Sequence, residues 1–521
     1  MSIADAAAPG AEIRARRPGF DFNDLFILDL ANNHQGSRDH AVRIIREMGA
    51  VAKANGVRAV LKFQFRDLDT FIHPAHRAGS ANKHVSRFLS TRLAREDWAV
   101  LAGEVRAAGM VTMATPFDEP SVDLCQELGM DVIKVASCSA TDWPLLEKIS
   151  EGVKPVVFST GGLTMKQIDD LASFFAHRRV LHAMEHCVSI YPTPDALEQL
   201  NQIEVLRRRY PDTTVGFSTH EPPDELVCVA IAVAKGARMF ERHVGIETET
   251  IKLNAYSSTP AQVDRWMKAA LKARTLCGGL EKPPATAEEE SSLDSLRRGV
   301  YARKALKKGS TLRRDDVYFA MPRAEGQLHA GEFREGAEAV EEIPKDGPLT
   351  ASSVKSSQDM AKQVLFTAIH TMKGMLNEAR VPLPTDFRAE FSHHRGMQNF
   401  DTVGCTLIDI VNRAYGKKLV IQTPGQYHPS HYHKKKEETF HVLWGVLEVE
   451  VEGRRRTLYP GDMQVIQQGV WHEFWTETGA IFEELSTTAF TDDSFYEDKE
   501  INAMPRSARK TIVNHWGRYQ I

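Results

Sequence analysis

The sequence predicts an α/β protein built from a (β/α)8 barrel, a small β-rich module and a C-terminal antiparallel β-barrel. Between about residues 25 and 275, eight short apolar runs alternate with amphipathic helical patterns, which fits a closed barrel better than an open doubly wound sheet. Short strands and turns follow over about 60 residues, and about the last 150 residues alternate apolar and polar positions. We therefore expect three domains, at residues 20–280, 296–356 and 360–521.

Composition narrows the class of protein. The chain has 521 residues and a formal net charge of −4, without the concentrated basic face that nucleic-acid binding needs. It lacks an apolar run of about 18 residues, so no membrane span is expected. The first 20 residues lack the apolar core of a signal peptide and predict a short disordered start. Six scattered cysteines without a CxxC pair indicate reduced thiols and a cytoplasmic protein.

The barrel strands are predicted at eight runs: LFILDL, RAVLKFQF, MVTMAT, DVIKVAS, KPVVFST, VLHAMEHC, TTVGFST and ARMFERHV. Segments such as HAVRIIREMGAVAKAN lie between them and are apolar at i, i+3 and i+4, as in amphipathic helices. The Pro, Glu and Ser rich stretch at residues 281–295 predicts a linker, and another containing SSQ follows the small module. The KKG and KDG turns of that module favour short strands.

The polar residues that close the eight runs carry the functional signal, because the C-terminal strand ends of such a barrel hold the active site. Lys62 and Lys134 lie within otherwise apolar runs, where an unpaired ammonium is costly unless an anion meets it. His220 and His243 close the seventh and eighth strands, so they can share a divalent ion. The set expected at one mouth is Asp29, Asn33, His34, Lys62, Gln64, Thr115, Lys134, Ser137, Ser159, Thr160, His186, Ser189, Tyr191, Ser218, His220, Glu241 and His243.

The order of these motifs resembles the sialic acid (N-acetylneuraminate) synthase family: ANNHQG, KFQF, ATPFDEPSVD, IKVAS, STGG, HCVSIYPTP, GFSTH and ERHV. The segment RKALKKGSTLRRDDV resembles that family's small β-clip domain, the SAF or antifreeze-like domain, and the resemblance covers about residues 22–356. It implies a metal-dependent enzyme that condenses phosphoenolpyruvate (PEP) with the aldehyde of an open-chain sugar. The implied products are phosphate and a 3-deoxy-2-keto acid of the nonulosonate type, for surface polysaccharide biosynthesis.

The resemblance also implies roles for individual residues. Manganese or magnesium, held by His220 and His243, would polarise the aldehyde. A carboxylate near C2 of PEP, at the position of Asp29, would steady positive charge and handle the proton of the attacking water, and Glu241 is a second carboxylate beside the metal. A domain-swapped homodimer, in which the β-clip domain covers a neighbour's barrel, is implied too. The expected contacts to PEP are Lys62, Thr115, Lys134, Ser137, Ser159, Ser189 and Ser218, with Gln64 and Tyr191 as further substrate contacts.

Three places depart from the family pattern. Asp29 stands where the family has Glu, so its carboxylate is one methylene shorter. After the eighth strand, IKLNAYSSTP replaces the acidic GPD sugar contact and offers Asn254 and Tyr256. In MPRAEGQ, Arg323 lies two positions from where the family aligns the Arg that reaches the acetamido group of the sugar in the partner subunit. We therefore expect PEP chemistry with an acceptor other than N-acetylmannosamine.

The last domain carries the two cupin motifs, GQYHPSHYHKKKEETFHVLWG and GDMQVIQQGVWH. Because side chains alternate along a strand, His431 and His433 point to one face. Glu438 and His472 join them from neighbouring strands. The four side chains predict a site for zinc, manganese, iron or nickel, while Lys434, Lys435 and Lys436 are expected on a solvated face.

Two alternatives stay open on the sequence alone. In one, the cupin isomerises or epimerises the sugar substrate, with Glu438 or His441 as the base. In the other, Asp29 has silenced the barrel and the protein is a carbohydrate sensor. The acceptor sugar and its phosphorylation state are also open, since basic residues that permit a phosphate are expected around the mouth: Arg66, His73, Arg77, Lys83 and Arg87.

Overall fold

The computed structural model describes residues 19–152, 154–280, 282–355, 360–514 and 516. The predicted disordered start falls mainly on residues 1–18 and the SSQ linker on residues 356–359, so both lie outside the described residues. The chain divides into two compact units between Pro283 and Pro284. Within the described ranges, no helix combines the length and apolarity that a bilayer crossing requires. The three predicted domain boundaries stay predictions.

The first unit confirms the predicted barrel. Its eight strands are parallel and close in sequence order, β1 (Leu25–Asp29), β2 (Arg58–Phe65), β3 (Val111–Pro116), β4 (Val132–Val135), β5 (Val156–Ser159), β6 (His182–Cys187), β7 (Val215–Thr219) and β8 (Met239–His243). The helices are α1 (Arg38–Ala54), α2 (Leu68–Phe71), α3 (Lys83–Ser90), α4 (Arg95–Ala107), α5 (Glu119–Glu127), α6 (Trp143–Glu151), α7 (Met165–His177), α8 (Asn201–Arg209), α9 (Val227–Ala234) and α10 (Pro260–Cys277).

The alternation of side chains along each strand determines which residues point into the barrel interior. On β1, Phe26 and Leu28 pack outward in the large core that includes the helices, whereas Leu25 and Ile27 pack in a separate inner cluster. The next inward position above Ile27 is Asp29. The same rule places polar side chains above apolar ones on the other strands, so the base of the barrel is apolar and its C-terminal end is polar.

The second unit begins with a helix that the sequence analysis missed. Residues 281–295 were predicted as a linker, but α11 (Ala287–Leu296) occupies most of that stretch. The Thr286 side chain caps it by accepting a hydrogen bond from the Glu289 backbone N–H. Three glutamates in the first turn complement the positive end of the helix. Because this stretch is rich in exposed Glu and Ser residues, its composition alone did not predict the capped helix.

A small β-rich module follows α11. It pairs β9 (Gly299–Ala302) with β10 (Val317–Ala320), and β11 (Glu338–Ala339) with β12 (Val354–Lys355), both antiparallel. Val300, Leu312, Val317 and Leu349 lie in its own core cluster. Short strands are thus as predicted, while assignment of the module to the SAF type stays a prediction.

The cupin part has the expected antiparallel strands in two sheets. An unpredicted helix, α12 (Met360–Ala379), precedes them and buries Leu365, Ile369, Met372 and Leu376 against the β-core. The strands are β13 (Arg388–Ser392), β14 (Cys405–Asn412), β15 (Tyr415–Gln422), β16 (Tyr427–Tyr432), β17 (Glu438–Gly445), β18 (Leu447–Val451), β19 (Arg454–Leu458), β20 (Met463–Ile466), β21 (His472–Trp475), β22 (Ala480–Thr487), β23 (Phe495–Tyr496) and β24 (Lys510–Asn514), with α13 (Lys499–Ala503) and α14 (Arg506–Arg509) before β24.

Candidate active site and candidate metal centre

A row of five buried charges crosses the mouth of the barrel. Lys62 Nζ lies 3.2 Å from Asp29 Oδ2 and 2.8 Å from Glu241 Oε1. Lys134 Nζ lies 3.1 Å from Glu241 Oε2 and also donates to Glu185. Carboxylates and ammoniums therefore alternate from β1 through β2, β8 and β4 to β6. Each lysine is satisfied by two carboxylates, which explains how it is tolerated in an apolar strand.

Electrostatics in this row follow from burial and alternation. Burial opposes the charge on Lys62, but Asp29 and Glu241 outweigh it and raise the pKa of Lys62. Burial favours the neutral form of Glu241, yet Lys134 and Lys62 outweigh it and lower the pKa of Glu241. Glu185 differs, because burial prevails over the attraction of Lys134 and raises the pKa of Glu185 to about 7. Burial therefore brings the pKa of Glu185 close to neutral pH.

The predicted hydroxyl groups line the wall beside the lysines. Ser218 Oγ donates to Glu241 Oε1 over 2.9 Å, and the buried Thr115 Oγ1 has no hydrogen-bond partner among the described residues. A Cβ added at Gly161 would stand 2.5 Å from Ser189 Oγ and 2.7 Å from Ser137 Oγ. Glycine at 161 therefore keeps open a space into which both serines face. An anion with several oxygens suits such a wall of donors.

Two histidines and two tyrosines gather on the other side of the mouth. The ring centroids of His220 and His243 are 5.4 Å apart, and Tyr191 lies 4.2 Å from His220. Tyr256 lies 5.2 Å from both His243 and Tyr191. The four rings form a shallow aromatic wall, of which Tyr191 is half exposed. Polar-tipped rings of this kind can pack against a sugar.

The two histidines are set up as neutral ligands. Nδ1 of His220 lies 2.9 Å from the Val188 carbonyl, which leaves Nε2 as the free nitrogen. Burial, with His243 close by, lowers the pKa of His220 to about 3. Nδ1 of His243 lies 3.4 Å from Asp29 Oδ2, and burial lowers its pKa as well. In the described part of the chain no third His, Cys, Asp or Glu completes a compact donor set here.

Some strand-end residues have structural roles instead. Asn33 Nδ2 donates to the Val244 carbonyl and to Ser257 Oγ, which fastens the loop after β1 to the chain after β8. His186 faces away from the barrel interior, with Nε2 2.7 Å from the Glu198 carbonyl. The expectation that every strand-end group converges on the mouth was therefore wrong for His186, because alternation on β6 turns it outward.

The cupin contains a second cluster, which has the predicted members. One donor atom from each of His431, His433, Glu438 and His472 lies within 4.8 Å of all the others, and the four residues are buried. Nδ1 of each histidine is close to a backbone carbonyl, at 3.0, 2.6 and 3.1 Å in chain order. The Nε2 atoms remain for the centre of the cluster.

The donor atoms fit a first-row divalent metal. Oε1 of Glu438 lies 2.8 Å from Nε2 of His472 and 3.7 Å from Nε2 of His433, and neither Oε1 of Glu438 nor Nε2 of His472 has a hydrogen-bond partner among the described residues. Such orphaned polar atoms are costly unless an ion meets them. Three imidazoles and one carboxylate are a suitable set for zinc, manganese, iron or nickel.

Two expectations around this cluster were wrong. Lys436 was placed on a solvated face, but it is buried, contacts Glu438 and lies 2.8 Å from Glu484 Oε1. Its position next to two carboxylates pulls it inside. His441 was a candidate base, but it lies on the opposite face of β17 from Glu438 and pairs with Glu483. An odd spacing along a strand separates the two faces.

Comparison with known proteins identifies the family to which the barrel is similar. Residues 48–282 match the family described as NeuB family, and residues 418–486 match the cupin domain. A crystal structure described as spore coat polysaccharide biosynthesis protein E from Chromobacterium violaceum is 42% identical. It covers 64% of this chain and 100% of its own, with a TM-score of 0.61. The chain belongs to the NeuB family.

Curated relatives extend over the same portion. Spore coat polysaccharide biosynthesis protein SpsE of Bacillus subtilis is 27% identical over 359 residues, which are 64% of this chain and 94% of the relative. N-acetylneuraminate-9-phosphate synthase of Drosophila melanogaster is 25% identical over 363 residues, 63% of this chain and 95% of the relative. The relatives therefore match nearly their full length, and this NeuB-family chain carries a cupin in addition.

A cavity of about 290 Å³ adjoins the charge row of this NeuB-family barrel. Arg66 lines it, with its guanidinium 3.6 Å from the ring centroid of Phe117 and 4.0 Å from that of Phe88. Both terminal nitrogens of Arg66 lie 3.3 Å from Gln64 Oε1, and Gln64 Nε2 donates to Asp29 Oδ2. No carboxylate of the described chain forms a salt bridge with Arg66, and burial lowers its pKa to about 10.

The remaining predicted contacts are placed as follows. Asn254 Oδ1 accepts a hydrogen bond from the Tyr256 backbone N–H and so shapes the turn that presents the tyrosine. Arg323 pairs with Asp294 and donates to the Gln327 carbonyl within the second unit. Its predicted contact with sugar in a partner subunit stays a prediction.

Glu185 is the site residue that sequence reasoning missed. It lies in the run VLHAMEHC, directly before His186, which was the residue predicted for the site from this run. The available signal was the one used for Lys62 and Lys134, an ionisable group inside an apolar strand.

Proposed function

We propose that the barrel condenses PEP with the aldehyde of an open-chain sugar, giving a 3-deoxy-2-keto sugar acid and phosphate. The observation that carries this proposal is the buried row in which Lys62 and Lys134 alternate with carboxylates beside a wall of hydroxyl groups. Relatives named as N-acetylneuraminate-9-phosphate and N,N'-diacetyllegionaminic acid synthases support it. Relatives named for spore coat polysaccharide synthesis support a role of the product in a surface polysaccharide.

The residues divide the chemistry between two sides. Lys62 and Lys134 bind the anionic groups of PEP, while Ser137, Ser159 and Ser189 donate to its oxygens. C3 of PEP forms a bond to the aldehyde carbon, water adds at C2, and the bond from C2 to the phosphate oxygen breaks. Asp29 lies among Lys62, Gln64 and His243, where a carboxylate can steady positive charge at C2 and accept the proton of the water.

A manganese or magnesium ion fits the barrel in part. His220 and His243 would hold it, and the substrate or water would complete its shell. When bound, such an ion polarises the aldehyde oxygen as a Lewis acid. Asp29 orients His243 from Nδ1, as a carboxylate orients a ligating imidazole.

The cavity beside Gln64 favours an acceptor with an anionic substituent. Arg66 is clamped between two rings and lacks a carboxylate of its own among the described residues, so a phosphate there would complete its charge. Gln64 links this cavity to Asp29 by a hydrogen bond, which supports one continuous site for the acceptor. The proposal also includes a domain-swapped homodimer and a cytoplasmic location.

The cupin cluster favours a second candidate function, isomerisation of a ketose to the aldose that the barrel uses. Its basis is the buried set of three histidines and Glu438, with Glu438 as the base. Full-length Lys62→Ala protein, with metal and candidate ketoses in deuterated water, tests this apart from the barrel. Absence of deuterium at C1 or C2 with every ketose would leave the cupin a binding domain.

The main proposal is tested by phosphate release from PEP with a panel of aldoses and aldose phosphates, followed by mass spectrometry of the product. We expect stoichiometric phosphate and a product three carbons longer than the acceptor. Lys62→Ala should strongly reduce release, and the exposed Lys166→Ala serves as the matched control. No release with any sugar, while PEP still binds, would favour the carbohydrate sensor.

A further inference from the structure

The charge of the barrel site poses a problem for an anionic ligand. The three carboxylates of the row, Asp29, Glu185 and Glu241, contact the two ammonium groups of Lys62 and Lys134, so the fully ionised row carries one excess negative charge. PEP adds a carboxylate and a phosphate to the same place. Like charges brought together in a buried site cannot all stay ionised.

The geometry shows which group can change. Glu185 is fully buried, gives one oxygen to Lys134, and leaves Oε1 without a hydrogen-bond partner among the described residues. Glu241 uses both oxygens on the two lysines. A Cβ at Gly216 would lie 2.7 Å from Cβ of Met239 and 3.0 Å from Cγ of Glu185, so the glycine makes room for both side chains inside the barrel.

The groups that face Glu185 all bear on its protonation. Lys134 on β4 and Lys62 on β2 favour the ionised form, whereas burial and Glu241 on β8 favour the neutral form. Cys187, the next inward residue on β6, is held as a neutral thiol because burial raises its pKa. The balance leaves Glu185 with a pKa of about 7.

We propose that Glu185 is the proton-accepting partner of PEP binding: as Lys134 turns from Glu185 to the PEP anion, the Glu185 carboxylate takes up one proton from solvent and becomes a neutral carboxyl group. Because Glu185 is fully buried and bonded to Lys134, we assign it as a positioning residue that acts through Lys134. The inference rests on the proposed function, because it requires PEP at Lys134.

The direction of the pH dependence follows. Below pH 7 Glu185 already carries its proton, and PEP binds without uptake at this residue. Above pH 7 each binding event must also protonate Glu185, so affinity falls by up to about tenfold per pH unit. Removing the charge should make PEP affinity nearly independent of pH between about 7 and 8.5.

Titration calorimetry of the full-length, metal-free protein with PEP at pH 8 tests this, in HEPES and in Tris, whose ionisation enthalpies differ. We expect uptake of about one proton by the wild type and about none by Glu185→Gln, which should bind PEP more tightly at that pH. Glu198→Gln is the matched control, because burial also raises the pKa of Glu198 to about 7, but its side chain interacts with Glu221 and Arg242. It should retain the uptake.

PEP binding to the wild type without proton uptake would overturn the inference and leave the proposed function intact. Uptake that persists in Glu185→Gln would overturn it as well. If that variant does not fold, the proton count of the wild type between pH 6.5 and 8.5 decides alone. Failure of the wild type to bind PEP would instead overturn the proposed function, and this inference with it.

Discussion

The barrel site and the cupin cluster contain the same kinds of residues and contacts, but in different numbers. In both, a backbone carbonyl holds Nδ1 of a histidine, and a buried lysine contacts a carboxylate. The barrel combines two lysines and three carboxylates with two histidines. The cupin combines three histidines and Glu438 in one compact set, with Lys436 at its edge.

This difference indicates which kind of ligand suits each site. Ammonium groups can release their carboxylates and bind an anion, so the barrel row suits an anionic substrate. Neutral imidazoles whose free nitrogens converge suit a cation. We therefore expect the barrel to depend first on its charges and the cupin first on a metal, and the following experiments test that contrast.

The largest effect is expected from the barrel charges. Lys62→Ala removes a cation from the proposed PEP site and leaves Asp29 and Glu241 short of a partner. We expect kcat/KM for PEP to fall by about 10²- to 10³-fold, with the metal content of the cupin unchanged. Phosphate release and elemental analysis measure the two quantities, and loss of both would contradict the independence of the sites.

The cupin cluster should respond in the opposite way. His431→Ala removes one of four ligands, and we expect affinity for zinc or manganese at this site to fall about 100-fold, since even outer-shell losses cost about 10- to 100-fold. Release of phosphate from PEP should stay within about twofold of the wild type. A parallel collapse of phosphate release would show that the cupin takes part in the condensation.

Arg66 tests the acceptor side of the barrel. Arg66→Gln keeps an amide in the cavity but removes the charge, so KM for a phosphorylated acceptor should rise about tenfold. KM for PEP and the rate with the same unphosphorylated sugar should change little. Equal KM values for phosphorylated and unphosphorylated sugars in the wild type would refute an anionic acceptor.

The smallest effect concerns the lysine of the cupin. Lys436→Met frees Oε2 of Glu438 from an ammonium, so the cluster should bind a divalent cation about fivefold more tightly. Competition with a fluorescent chelator measures this affinity, and the exposed Lys434→Met is the control. Weaker binding would mean that Lys436 orients Glu438 rather than competes for it.

The sequence identified those site residues that are ionisable but lie in apolar strands, or that follow a motif of fixed spacing. Lys62 and Lys134 were found because an ammonium is rare within an apolar strand, and the cupin set because fixed spacing and alternation bring its members together. Glu185 is also an ionisable residue in an apolar strand, but its role depends on its ion pair with Lys134, which lies 51 positions away in the sequence. Helix α11 was missed because its composition resembles a linker, while its cap is a local hydrogen bond that composition does not show.

One ion pair behind the barrel wall links the two histidines of the mouth. Arg242 and Glu221 are fully buried, lie 2.7 Å apart, and are the chain neighbours of His243 and His220 respectively. Arg242 also donates to the carbonyl groups of Pro223 and Glu225, so β8 holds the loop after β7 from outside. A shift of β8 would therefore also disturb the loop after β7, at whose start His220 lies. Redesign of this mouth for a new acceptor must therefore move the two histidines as one unit, or leave both in place.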